Sequence, residues 1–254
     1  MKVLRKFYQI WCVFWFLLVF LLLYPFFVLF IQRKKWHRYG HYLNKIWAHV
    51  VFGACVLPTK VEWKFKFDNS KTYVYCANHS SYLDIPSLCY GLKGHFAFIG
   101  KASLAKVPLF GYMFRNLYIS VDRDSKKSRY NTMIKSYEML DQGISVAVFP
   151  EGTIPKNRGF EMIPFKEGAF RMAIEKQIPI VPITIPYNWI ILPDDGIFIP
   201  NRHLMKMIIH EPIETKGMNL DQIQELSDKT FAIIYNELTK QNKAIGEKIG
   251  EFTS

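Results

Sequence analysis

The sequence predicts an α/β fold: a mixed, mostly parallel sheet with helices on both faces, preceded by an N-terminal two-helix membrane motif. Three observations predict it. Residues 10–31 hold no charged side chain, seven short strand-like runs follow Pro58, and helical patterns stand between several of those runs.

The N-terminal element comes first. The stretch "IWCVFWFLLVFLLLYPFFVLFI" would extend about 33 Å as a helix, close to the hydrocarbon thickness of a bilayer. The run is too long for a cleaved signal peptide, and no small-residue cleavage site follows it. A buried core helix is disfavoured because no polar face interrupts it, although Pro25 is expected to kink it. Charge supports the same reading. Of a formal net charge of +12, nine basic residues precede the first acidic one, Glu62, and the remainder of the chain is nearly balanced. A basic, apolar segment fits an anionic membrane surface and excludes a nucleic-acid partner. In residues 36–57, Trp36, Tyr39, Leu43, Ile46, Trp47, Val50 and Ala54 recur at helical spacing with Arg38, His41 and Lys45 between them. That pattern predicts a second, interfacial helix, joined to the first near Arg33–Lys35. Residues 1–57 are therefore expected to form a membrane-associated two-helix motif, and residues 58–254 an α/β domain.

Strands are expected at 61–67, 72–77, 95–100, 117–122, 144–150, 178–185 and 205–213. Helices are expected at about 129–142, 166–176 and 219–240. Strands alternating with helices argue for a mainly parallel sheet, whose functional residues collect beyond the carboxyl ends of strands. The cysteines Cys12, Cys55, Cys76 and Cys89 show no metal or disulfide spacing, which fits a reducing compartment.

The stretch "VYCANHSSYLDIPSL" places His79 and Asp84 at the end of a strand. On a regular helix a five-residue spacing would set them about 140° apart, so the chain must turn between them. Pro86 suits the first turn of a helix beginning near Asp84. Such a turn can bring the carboxylate to one ring nitrogen and leave the other free to take a proton from a hydroxyl. Alone, an H-x4-D pair is a common accident, better read as a loop histidine and a helix cap.

Its neighbours argue against an accident. "NHSSYLD" (78–84), "KASLAKVPLFGY" (101–112), "VDR" (121–123), "FPEGT" (149–153), "PFKEGAF" (164–170) and "VPI" (181–183) occur in order. In this combination the chain resembles the glycerolipid acyltransferase family, typified by bacterial lysophosphatidic acid acyltransferases. The resemblance covers roughly residues 60–215. It implies transfer of a fatty acyl group from a thioester, acyl-CoA or acyl carrier protein, to the sn-2 hydroxyl of lysophosphatidic acid. His79 would be the general base and Asp84 its partner, with no acyl-enzyme, no metal and no cofactor beyond the co-substrate. The absence of a G-x-S-x-G elbow agrees with direct attack. Glu151, Gly152 and Thr153 would contact the acceptor, and Lys101 and Arg123 its phosphate. The implied setting is the inner (cytoplasmic) membrane, with the catalytic domain on the cytoplasmic side and the bilayer, lysolipid and acyl donor as partners.

One position departs from the family. Many relatives read "FPEGTR", whereas this chain has Ile154 where the arginine would stand. A bidentate phosphate ligand is lost, and Lys156, Arg158 or Lys166 would have to compensate. A lysolipid without a phosphomonoester, of lyso-ornithine or lyso-glycine type, is therefore an alternative acceptor. Two other classes are weaker. A non-catalytic lipid- or carrier-binding module would not need the intact dyad. A metal hydrolase using His37, His41 and His49 lacks a glutamate at metalloprotease spacing.

Overall fold

The structure, a computed structural model, describes residues 2–155, 159–194 and 200–253. Along the chain these form α1 (Lys2–Ile31), α2 (His37–Ala54), β1 (Thr59–Trp63), β2 (Val74–Ala77), α3 (Asp84–Gly91), β3 (Phe96–Lys101), α4 (Phe110–Leu117), β4 (Ile119–Val121), α5 (Lys126–Asp141), β5 (Ser145–Val148), α6 (Gly168–Lys176), β6 (Ile180–Thr184), α7 (Asn188–Ile191), β7 (Met205–Ile209) and α8 (Ile223–Thr253). Each expected strand run overlaps a strand, with β1 beginning two residues before its run and β3 ending one residue after its own, and the sheet is mixed and mostly parallel with helices on both faces. Helices α4 and α7 fall outside the expected stretches, because eight and four residues are too few to display a helical period.

The expected two-helix membrane motif is corrected. Among the described residues only one helix, over Val3–Ile31, is long and apolar enough to cross a membrane. It runs on through Pro25, and its outer side is bare, with Leu4 74% and Leu22 63% exposed. Helix α2 is of a different kind. Its buried residues are Gly40, His41, Leu43, Asn44, Ala48, Val51 and Phe52, so a polar histidine and asparagine lie on the packed side. His41, expected near headgroups, stands edge-on to Phe96 at 4.4 Å, and the Asn44 amide donates to the Tyr118 hydroxyl at 2.7 Å. Gly40 lets α2 approach α4, since a Cβ there would meet Leu117 at 3.0 Å. The expected helical period is present, but a period alone does not say whether lipid or protein covers a face.

The chain divides into two compact units. The first holds residues 1–57, 67–75 and 85–148. In it β3 pairs in parallel with both β5 and β4, with Phe98 opposite Ala147 and Lys101 opposite Val121. Phe96, Phe98, Met113, Phe114, Leu140 and Val146 are buried there. Helix α1 is tied to α2 by Trp11 Nε1–H to the Ala54 carbonyl at 2.7 Å and Trp47 Nε1–H to the Phe16 carbonyl at 3.1 Å.

The second unit holds residues 58–66, 76–84 and 149–254. Strand β7 pairs in parallel with β1 and antiparallel with β6, with Ile209 opposite both Trp63 and Ile183. Both faces of β6 are covered, so its five residues are all buried and the strand reads as a continuous apolar run. Helix α8 packs on β6 and α6 and has Leu226, Ile234 and Leu238 buried. The loop that follows β2 belongs to this unit.

Candidate active site

The site is built where β2 stops. The Asn78 side chain takes over from the strand: its Oδ1 accepts from the Ile185 amide at 2.7 Å and its Nδ2 donates to the Ile185 carbonyl at 3.0 Å. This two-way pairing imitates a ladder rung and fixes the backbone one residue before His79. The chain then turns, with the Asp84 amide donating to the Ser81 carbonyl at 3.1 Å, and α3 begins at Asp84.

The turn brings the expected dyad together. Asp84 Oδ2 accepts from the backbone amides of Ser80 at 2.8 Å and Ser81 at 2.9 Å, and lies 2.9 Å from His79 Nδ1. Asp84 is 0% exposed, so its charge must be met by donors, and these supply them. A carboxylate on Nδ1 assigns the proton to that nitrogen and leaves the Nε2 lone pair as the base. The imidazole stacks on Phe149, with centroids 4.0 Å apart and planes within 16°. Packing on one face and a bond on one edge hold the ring in a single orientation.

Glu151 is joined to this arrangement. Its Oε1 accepts from the His79 backbone amide at 2.8 Å and its Oε2 from the Ile163 amide at 3.1 Å. Burial pushes its carboxyl up to about 7, against the two backbone bonds, which favour the charged form; the nearby Asp84 charge adds to the rise. Gly152 follows with φ +75°, a conformation open to glycine, and its amide donates to the Phe149 carbonyl at 2.9 Å. Lys166 lies across this glycine: a Cβ on Gly152 would stand 2.9 Å from both the Lys166 Cε and Nζ. Its backbone amide donates to the Pro150 carbonyl at 2.9 Å.

The other expected residues divide into groups. Thr153 is exposed and Ile154 half-buried beside the turn. Lys156 and Arg158 lie outside the described residues. Lys101 ends β3 and Arg123 follows β4, both at the carboxyl ends of a parallel pair in the first unit. Among the described residues no group of three or more His, Cys, Asp and Glu side chains could hold a metal ion. Cys76 is fully buried within β2 and its thiol is pushed up by burial, so it offers no thiolate nucleophile.

Sequence reasoning missed Asn78, Phe149 and Asn188. The Asn188 side-chain amide donates to Asp84 Oδ1 at 2.9 Å from 104 residues downstream. No spacing rule reaches that far. Asn78 alone carried a signal, as a polar residue ending a strand of apolar ones.

Comparison with known proteins agrees with this geometry. Residues 59–186 match the family described as Acyltransferase. A chloroplastic 1-acyl-sn-glycerol-3-phosphate acyltransferase of Brassica napus is 32% identical over 192 residues, which is 74% of this chain and 54% of that protein. The chain thus spans about half the length of that relative. A 1-acyl-sn-glycerol-3-phosphate acyltransferase of Haemophilus influenzae is 30% identical over 72% of this chain and 79% of its own. The crystal structure of a 1-acyl-sn-glycerophosphate acyltransferase from Thermotoga maritima superposes with a TM-score of 0.76 at 22% identity, covering 94% of this chain and 98% of that one. That likeness establishes a shared fold.

Proposed function

The chain belongs to the glycerolipid acyltransferase family, and from that premise we propose that it moves a fatty acyl group from a thioester to the sn-2 hydroxyl of lysophosphatidic acid, giving phosphatidic acid. The observation that carries this reading is the 2.9 Å contact between His79 Nδ1 and a carboxylate oxygen already held by two backbone amides. His79 Nε2 takes the proton of the acceptor hydroxyl as its oxygen attacks the thioester carbonyl carbon. The tetrahedral intermediate collapses, the carbon–sulfur bond breaks, and the leaving thiolate takes the proton back from the imidazolium. General-base help of this kind contributes about 10²–10⁴-fold, and positioning must supply much of the rest.

Residues 58–254 form the acyltransferase domain in this reading, and α1 attaches it to the bilayer from which the lysolipid arrives. The donor is acyl carrier protein or coenzyme A thioester. The enzyme faces the cytoplasm from the inner membrane, where both donors are made. Lys101, Arg123, Gly152 and Thr153 contact the acceptor. Glu151, with both oxygens engaged by backbone amides, shapes the acceptor loop from behind. Lys166, lying over Gly152, supplies the cation that the family takes from the arginine at position 154.

Ile154 favours a second reading, an acceptor without a phosphomonoester, such as a lyso-aminolipid. An assay of the full chain in lipid with one labelled acyl-CoA, and with lysophosphatidic acid and a lyso-ornithine lipid in parallel, separates them. Preference for lysophosphatidic acid supports the first reading and preference for the aminolipid the second. Transfer to neither would return the chain to the binding-module class.

A further inference from the structure

Asp84 is held on both oxygens, but by different kinds of donor. Oδ2 takes the Ser80 and Ser81 amides and the His79 ring, whereas Oδ1 takes the Asn188 side chain at 2.9 Å. Asn188 is 0% exposed and opens α7, a four-residue helix just after β6. Three further bonds, at two places, bind the same segment to the dyad's turn. Asn78 pairs with Ile185 through both groups of its amide, and the Ser81 hydroxyl donates to the Leu192 carbonyl at 2.7 Å. Residues 185–192 therefore grip residues 78–84 at three points. The segment is anchored in turn by α8, through the Tyr187 hydroxyl on Gln241 at 3.0 Å.

We propose that Asn188 is a positioning residue for acyl transfer, fixing the rotation of the Asp84 carboxylate and with it the aim of the His79 ring. This rests on the reading of His79 as general base. The terminal torsion of an aspartate is soft, so a carboxylate held through one oxygen can swing about that oxygen. A donor on Oδ1 removes the freedom, and an uncharged donor does so without cancelling the charge that stabilises the imidazolium. A lysine or arginine at 188 would give the bond and neutralise the carboxylate. A leucine would fill a similar space and give no bond. Of these side chains only the amide does both jobs.

The discriminating variant is Asn188→Asp, which keeps the shape. While protonated, its carboxyl can donate to Asp84 as the amide does; once ionised it repels Asp84, since two carboxylates in contact retain one proton between them. With the full chain in lipid, labelled acyl-CoA and lysophosphatidic acid, kcat of N188D relative to wild type should fall about tenfold or more between pH 6 and 8.5, with KM little changed. N188L should be slow throughout. A second readout needs no substrate: nitrogen chemical shifts of labelled histidine, with His79 assigned by comparison with H79A. The wild type should show one Nδ1–H tautomer and N188L a mixture. A constant N188D to wild-type ratio across the pH range, or an N188L enzyme with an unaltered tautomer, would overturn the proposal. Full transfer by H79A would instead sink the general-base reading and leave the tautomer result standing by itself.

Discussion

His79 and Glu151 are bonded backbone to side chain: the His79 amide donates to Glu151 Oε1 at 2.8 Å, across 72 residues of sequence. This bond joins the turn that carries His79 to the turn that carries Glu151 and Gly152. Since a misplacement of about 1 Å can cost a hundredfold in rate, loss of this bond should slow transfer although it touches no reacting atom.

His79→Ala should lower transfer by at least about 10²–10⁴-fold while leaving the fold and membrane attachment intact. Asp84→Asn should lower kcat by a comparable amount through loss of the charge that orients and stabilises the imidazolium. Circular dichroism and steady-state rates on the same preparations check both. Folded H79A protein with rates near wild type would contradict the assigned role.

Glu151→Gln should cost activity and alter how stability depends on pH. An amide presents one acceptor oxygen, so either His79 N–H or Ile163 N–H loses its partner, at about 1–3 kcal/mol. In the wild type the folded-state carboxyl is raised to about 7. A raised acid contributes stability that is complete below its unfolded value and disappears as pH rises through its folded value. The melting-temperature advantage of wild type over E151Q should therefore shrink as pH rises from about 4.5 to about 7.5. A pH-independent gap would show that Glu151 does not titrate there.

Gly152→Ala should act on acceptor binding. The residue sits at φ +75°, and the added methyl would press on the Lys166 Cε and Nζ. The backbone strain alone is about 1–3 kcal/mol. KM for lysophosphatidic acid should rise, and Lys166→Met should raise it about tenfold with a smaller effect on kcat. Titrating acceptor against fixed acyl-CoA separates the two constants; a K166M enzyme with wild-type KM would remove Lys166 as the phosphate ligand.

Replacing exposed apolar residues of α1 should weaken membrane attachment. The combined change Leu4→Gln, Phe7→Gln, Ile10→Gln and Leu22→Gln alters side chains between 63% and 74% exposed, so little packing is lost. The variant should shift from the liposome pellet to the supernatant in a sedimentation assay. Pelleting equal to wild type would place the membrane contact elsewhere.

The strands were legible because each is a short run of β-branched and aromatic residues, and the dyad because one turn links its members. Glu151 was legible as a position but not as a contact. Its motif suggested an acceptor ligand, and the fold adds what the motif does not carry, its burial and its bonds to the His79 and Ile163 amides. Burial is a property of the folded chain that a motif does not encode. Asn188 was invisible for the same reason, since its partner lies 104 residues away. Helix α2 shows the converse limit: His41 was expected on the polar side of an interfacial helix, yet it is buried against Phe96. Lys166 was one of three candidate cations, and only tertiary structure sets it over Gly152.

Asp84 does two unrelated jobs with one side chain. It ties together the turn before α3 through the amides of Ser80 and Ser81, and it orients the ring of His79. A descendant that abandoned catalysis would still need the first job for its fold, whereas the imidazole at position 79 adds to the fold only one contact on Asp84 and a stack on Phe149. In a duplicated copy drifting toward another role, the histidine should therefore be lost before the aspartate. A homologue that keeps the aspartate alone has kept its architecture and says nothing about its chemistry.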